Sequence, residues 1–206
     1  MLLQLLFSTA FAQDIDTHLV QIEKKYKDVQ GLRADFTQET SNAMLKKPMV
    51  QEGTLTVSRP GLLHWRIDKP MEQHYYADKD KITVWTPSQN QAIISSNQEK
   101  STDISNLLTN LNALRDQYKI ELVDEENKQV HLKLSGKDAN TATGMGDGSI
   151  QLWFSQSEYV LQQVLVDTPN ASTKVTFQEV RINPEFSQSE FVFVPTDGVD
   201  VHDSRQ

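Results

Sequence analysis

Hydrophobic positions along the 206-residue chain follow two different periods. Near the start, Ile15, Leu19, Ile22 and Tyr26 recur at i, i+4, i+7 and i+11, which puts them on one face of a helix over residues 14–26. Lys24, Lys25 and Lys27 fall mainly on the other, solvated side, and Gly31 can stop the helix. A period of two then takes over. Ala34, Phe36 and Gln38 alternate with polar neighbours, as do Gly53, Leu55 and Val57, and then Leu63, Trp65 and Ile67. Tyr75-Tyr76 and Ile82–Trp85 flank Asp78-Lys79-Asp80-Lys81, a hairpin turn, and another strand covers Gln91–Ser95. Pro60-Gly61, Pro70 and Pro87 bound these runs, which predicts antiparallel strands with one face wet.

The helical period returns in the middle of the chain. Ser101-Thr102-Asp103 offers N-cap candidates, and Ile104, Leu107, Leu108, Leu111 and Leu114 form an aliphatic stripe. Asn106, Thr109, Asn110 and Asn112 make its opposite face uncharged. Strands resume at 119–123, 129–134, 149–154, 161–166 and 174–182, with 135–148 a glycine-containing loop. A short helical turn at 187–190 precedes Phe191–Val194, read as the last main strand. Sequential strands on short turns build an up-and-down antiparallel sheet. So many strands must curl or split, or the apolar face stays wet. The expected fold is therefore mainly β (α+β): an incomplete, strongly curved antiparallel β-barrel whose concave side is plugged by helices.

The first twelve residues, MLLQLLFSTAFA, read separately. The apolar stretch Leu2–Phe7 and the A-x-A pattern Ala10-Phe11-Ala12 resemble the end of a secretory signal peptide, although no Lys or Arg precedes the apolar part. The expectation is a signal peptide over 1–12, incomplete at its start, and a single exported domain over 13–206.

Composition removes whole classes of function. With 28 acidic and 20 basic residues the chain carries a formal charge of −8, which leaves no basic excess for phosphate backbones and argues against nucleic acid. Zero cysteines exclude disulfides, a thiolate zinc site, a cysteine nucleophile and a lipidated cysteine. The five histidines show no ligand spacing, and His64 and His131, alternating with apolar neighbours, are expected to face water. Asp78, Asp80, Asp124, Glu125 and Glu126 sit in turns, where carboxylates serve solubility and turn chemistry. No nucleophile elbow or P-loop is present, and the Gly144–Gly148 segment lacks the strand-to-helix context of a phosphate cradle. No enzyme chemistry, metal site or cofactor is expected.

One stretch, Ser58-Arg59-Pro60-Gly61-Leu62-Leu63-His64-Trp65, combines with others into a resemblance. The signal-like start, the Phe36-Thr37-Gln38 strand, Gln51-Glu52-Gly53 leading to Arg59-Pro60-x-Leu62-x-x-Trp65, and Phe191-Val192-Phe193-x-Pro195-x-x-Gly198-Val199 follow in this order over nearly the whole chain. Together they resemble the periplasmic outer-membrane lipoprotein carrier family, LolA. The resemblance implies an incomplete barrel with a lid of short helices over an apolar cavity. It implies a monomeric periplasmic carrier that takes acylated lipoproteins from an inner-membrane ABC lipoprotein-releasing complex and delivers them to the outer-membrane receptor LolB. Arg59 matches the family's arginine on the sheet beneath the lid, whereas Leu63 stands where members often carry Phe. The cavity and lid would then be made by Phe36, Leu55, Arg59, Leu63, Trp65, Ile104, Leu107, Leu108 and Leu111. Two other readings stay open: a sensor or regulatory lipid-binding domain of the same fold, which the absence of a further C-terminal domain disfavours, and a secreted glycan-binding or hydrolytic β protein.

Overall fold

A computed structural model describes residues 6–97, 107–108, 111–137 and 148–205, with side-chain environments from residue 15 onward. The elements in chain order are α1 (Leu6–Tyr26), β1 (Gly31–Asn42), β2 (Met49–Ser58), β3 (Leu62–Lys69), β4 (Gln73–Ala77), β5 (Lys81–Thr86), β6 (Gln91–Ser96), α2 (Leu114–Gln117), β7 (Tyr118–Asp124), β8 (Gln129–Gly136), β9 (Ser149–Ser155), β10 (Leu161–Asp167), β11 (Ala171–Ile182) and β12 (Asp200–Asp203). The strands are hydrogen-bonded in the order β12-β6-β5-β4-β3-β2-β1-β11-β10-β9-β8-β7. The expected mainly-β chain is present, and strands β1 to β11 cover the positions that alternation assigned. Two compact units are distinguished: Met1–Asp28 with Asn110–Lys174, and Val29–Thr109 with Val175–Gln206.

In the first unit, the antiparallel ladder of β7 to β10 stacks like residues into rows. Leu122, Leu132, Leu152 and Val164 are register partners, and Val130, Phe154 and Leu161 form the next row. Val130, Leu132, Leu134, Leu152, Phe154 and Val164 are completely buried. The helix α1 supplies Leu19, Ile22 and Tyr26, buried as the helical spacing predicts, and Lys24, Lys25 and Lys27 are exposed. Tyr26 meets Phe154 edge-on at 6.3 Å, and its hydroxyl accepts the Leu161 backbone N–H at 2.9 Å. Burial pushes the Tyr26 phenol up to about 12. Arg115 ion-pairs with Asp16 and Glu23 at 3.1 and 2.9 Å, tying α2 to α1.

In the second unit, β1 to β6 form an antiparallel meander. The Asp78 carboxylate accepts the N–H groups of Asp80 and Lys81 at 2.8 and 2.9 Å, so the expected hairpin turn is an Asx turn. One face of this meander is covered by the segment 184–195, which departs from expectation. Phe191–Val194 is not a strand: the 3-10 turn Gln188–Phe191, closed by a Ser187–Glu190 capping box, runs into an unpaired strap. Phe191 is buried and Phe193 lies against Tyr76 and Trp85, while Val192 and Val194 are exposed. An extended segment laid flat on a sheet alternates just as a strand does, which is why the pattern misleads. The last strand is instead β12, parallel to β6 and polar in sequence, joined through Asp200 N–H to the Asn90 carbonyl at 2.9 Å.

The histidines differ from expectation for the same reason. His64 packs against both His74 and Tyr76, with near-parallel rings 5.3 and 4.4 Å away. The Glu72 carboxylate accepts from His74 Nε2 at 2.9 Å, which leaves His74 Nδ1 as the acceptor for His64 Nε2–H at 3.1 Å. Desolvation, then the neighbouring His74 and Arg66, lower the His64 pKa to about 4, with Glu190 opposing and Arg33 adding to the effect. In the first unit His131 is buried rather than wet. It stacks on Trp153 at 4.1 Å and is bonded to Asp124 and Gln151. The aliphatic stripe is helical at 107–108, a 3-10 turn at 111–113 and α2 after that; Ile104, the N-cap candidates and most of the loop 135–148 lie outside the described residues.

Replacing Tyr26 with Phe leaves the buried Leu161 N–H without its acceptor, and should cost about 1–3 kcal/mol in urea unfolding. Unchanged stability would remove that bond from the core. The His64 pKa lies below that of an unfolded histidine, so its contribution is fully present above pH 6.5 and is lost as pH falls toward about 4. The expected outcome for His64→Gln is a flatter stability profile across that window; a profile matching the wild type would refute the assignment.

Candidate functional site

The opposite face of the β1–β6 meander carries the predicted cavity residues. Antiparallel register makes Ala34, Leu55, Trp65, Tyr75, Val84 and Ile93 successive partners, a single row across six strands. Directly opposed residues share a face, so the row beside it, Leu32, Val57, Leu63, Ala77, Ile82 and Ser95, points the same way. On the other flank Phe36 and Ile67 are partners of Gly53. None of these side chains is charged.

Phe36, Leu55, Leu63 and Trp65 are thus brought together, as the sequence predicts. They are buried, and the Phe36 and Trp65 rings meet at 4.4 Å. Gly53 is what lets β2 and β3 close on each other here: at the register shift next to it, a Cβ would stand 1.9 Å from the Arg66 carbonyl oxygen. A larger residue would part the strands below Phe36.

Burial is graded along the central row. Ala34 and Leu55 are sealed at 1% and 0% exposure, Tyr75 and Val84 are half-buried, and Ile93 is 42% exposed. Burial raises the Tyr75 phenol pKa. Tyr75, Ile82, Val84 and Ile93 are site-facing residues that the sequence reading left out. Their signal was available: once Asp78–Lys81 is a two-strand turn, register pairs Tyr75 with Val84 and Val84 with Ile93.

The remaining expected residues are placed as follows. Arg59 lies in the β2–β3 turn, half-buried, with its backbone N–H donated to the Gln30 carbonyl at 2.8 Å. Burial lowers its guanidinium pKa. Leu107 and Leu108 are buried in this second unit at 2% and 5% exposure. Leu111 is fully buried but belongs to the first unit, whose 3-10 turn Leu111–Ala113 packs on α1. Among the described residues no group of three or more His, Asp or Glu side chains is arranged to hold a metal ion. What this face offers chemically is apolar surface of graded accessibility.

Comparison with known proteins gives this geometry a family. The family described as outer membrane lipoprotein carrier protein LolA matches residues 27–194. The outer-membrane lipoprotein carrier protein of Dechloromonas aromatica is 26% identical over 182 residues, covering 88% of this chain and 85% of that one. The protein of the same name from Hahella chejuensis is 29% identical over 178 residues, covering 85% and 83%. Among solved structures, an uncharacterized conserved protein from Thermus thermophilus aligns with a TM-score of 0.57 at 11% identity, over 92% of this chain and 99% of that one, a likeness of fold alone. The match spans the strands that carry the uncharged row, the Arg59-Pro60 turn and the strap up to Val194, and on it the chain belongs to the LolA family of outer membrane lipoprotein carrier proteins.

Proposed function

We propose that this chain is a periplasmic carrier that shields the acyl chains of lipoproteins released from the inner membrane and hands them to a receptor at the outer membrane. The observation that carries the reading is the uncharged row from Ala34 to Ile93, which passes from sealed to exposed along its length. Each methylene removed from water is worth about 0.8 kcal/mol, so one long acyl chain costs roughly 10 kcal/mol to expose. An apolar face that can take such a chain makes transit through water possible. Among the described residues no helix is long and apolar enough to cross a membrane, which agrees with a carrier that travels. The relatives are named as carriers and not as enzymes, and the site holds no nucleophile, acid–base pair or metal constellation among its described residues.

Release requires that the loaded state be no deeper than the alternatives. A lid bearing Leu107 and Leu108 that refills the empty cavity would compete with the lipid. Arg59, with five donors and no acceptor, would then bind free carbonyls at a lid helix end and stabilise the empty state. A domain over 13–206, monomeric and exported after removal of residues 1–12, completes the reading.

An environment-sensitive apolar dye should bind the purified chain saturably and be displaced by a diacylated peptide; a chain that binds no dye is not a carrier. Val84→Glu puts a carboxylate on the half-buried part of the row, and should weaken dye binding at least about tenfold with a native circular dichroism spectrum. Normal binding by that variant would move the site elsewhere. Arg59→Leu should load lipoprotein as well as the wild type or better, yet release it several-fold more slowly to receptor-bearing membranes. Unchanged release would leave Arg59 as an ordinary turn residue.

A further inference from the structure

The β1–β2 hairpin of the second unit ends in side chains that the fold does not use. Met44 is 90% exposed, and Leu45, Met49 and Val50 are 40%, 42% and 48% exposed. Between them stand Lys46 and Lys47, also exposed, and residues 40–51 contain no carboxylate. The turn is organised: the Asn42 side-chain oxygen accepts the N–H groups of Met44 and Leu45 at 2.9 and 3.0 Å. The hairpin also stands proud of its neighbour. The β2–β3 ladder ends at Glu52 with Lys69, whereas β1 and β2 stay paired through Gln51, Val50 and Met49. Three further residues of strand extend about 10 Å before the turn begins. Met71, 43% exposed in the β3–β4 turn, lies at the same end, so three of the chain's five methionines are displayed there.

We propose that this tip is a membrane-touching finger that seats on an anionic phospholipid surface, with Met44 and Leu45 among the headgroups and Lys46 and Lys47 on lipid phosphates. Charge and composition both select a bilayer. The chain is acidic at −8, yet the apolar tip of this hairpin carries only lysines as charged groups. The nearest carboxylates on the hairpin are Glu39, opposite Val50, and Glu52, which is held by Lys69 at 3.0 Å; Glu72 in the adjacent turn is bonded to His74. Apolar side chains beside lysines at a water-facing tip are the composition of interfacial segments, in which stems sit in the boundary layer and ammonium groups meet anionic headgroups. Unbranched methionine adapts to a fluid surface. The site is separate from the uncharged row, so the inference stands apart from the acyl-binding reading. Contact of this strength is transient, as suits a protein that must leave again.

Flotation of the full chain with vesicles tests the proposal, using phosphatidylethanolamine with phosphatidylglycerol against phosphatidylcholine alone. The wild type should partition onto the anionic vesicles and lose most of that binding in high salt. Met44→Ser with Leu45→Ser, and separately Lys46→Glu with Lys47→Glu, should each lower partitioning at least about tenfold. Both double variants should keep the native circular dichroism spectrum and normal dye loading, which separates this test from that of the carrier. Absence of wild-type binding to anionic vesicles would overturn the proposal, as would variants that bind like the wild type. Vesicle binding unchanged with slower lipoprotein transfer would assign the tip to a protein partner, and overturn it as well.

Discussion

A strand shows its side chains alternately to two faces, and a long antiparallel meander therefore has an apolar face that something must cover. Everything else in this chain answers that requirement. In the first unit α1 and the residues around Leu111 and Leu114 bury the centre of the rows of β7 to β10, with Ile120, Leu122 and Val166 half-buried at the margins. In the second unit the cover is partial. The row that starts at Ala34 and Leu55 is sealed, but the same row is half-open at Val84 and exposed at Ile93. Here the gradient runs over six strands and ends at an isoleucine that is 42% exposed. That gradient is what the proposed acyl-binding surface requires.

The second unit also uses the other face of its sheet. The strap 184–195 presses Phe191 and Phe193 toward the strands, and Arg33 on β1 is ion-paired with Glu190. Under that cover, His64, His74, Tyr76 and Trp85 become a packed aromatic layer with an ordered chain of hydrogen bonds ending at Glu72. This cover packs the strands from the side opposite the uncharged row. His64, whose pKa desolvation lowers, ties the stability of that layer to pH.

Much of this was legible in the sequence because local pattern and final environment agree. Period two marked β1 to β11, the 3.6 period placed Leu19, Ile22 and Tyr26 correctly, and the Arg59-to-Trp65 segment pointed to the family. Phe36, Leu55, Leu63 and Trp65 share a face because register follows alternation once the turns are known. Three features were not legible, each for a long-range reason. Phe191–Val194 alternates because it lies flat on a sheet, not because it pairs in one. His64 and His131 occupy outward positions that lose water only when Tyr76 and His74 stack on the first and Trp153 covers the second. The polar strand Asp200–Asp203 has no pattern of its own and is held by the edge of β6 and the Asn90 turn.

The central claim is that the uncharged row holds acyl chains inside the cell envelope. Native mass spectrometry of the chain purified from periplasm, beside a strain making an acylated lipoprotein in excess, reads that directly. The expected result is a second population heavier by a diacylated or triacylated species, lost when Val84 is replaced by Glu. A chain that emerges only unliganded, or carries sugar in place of lipid, would contradict it.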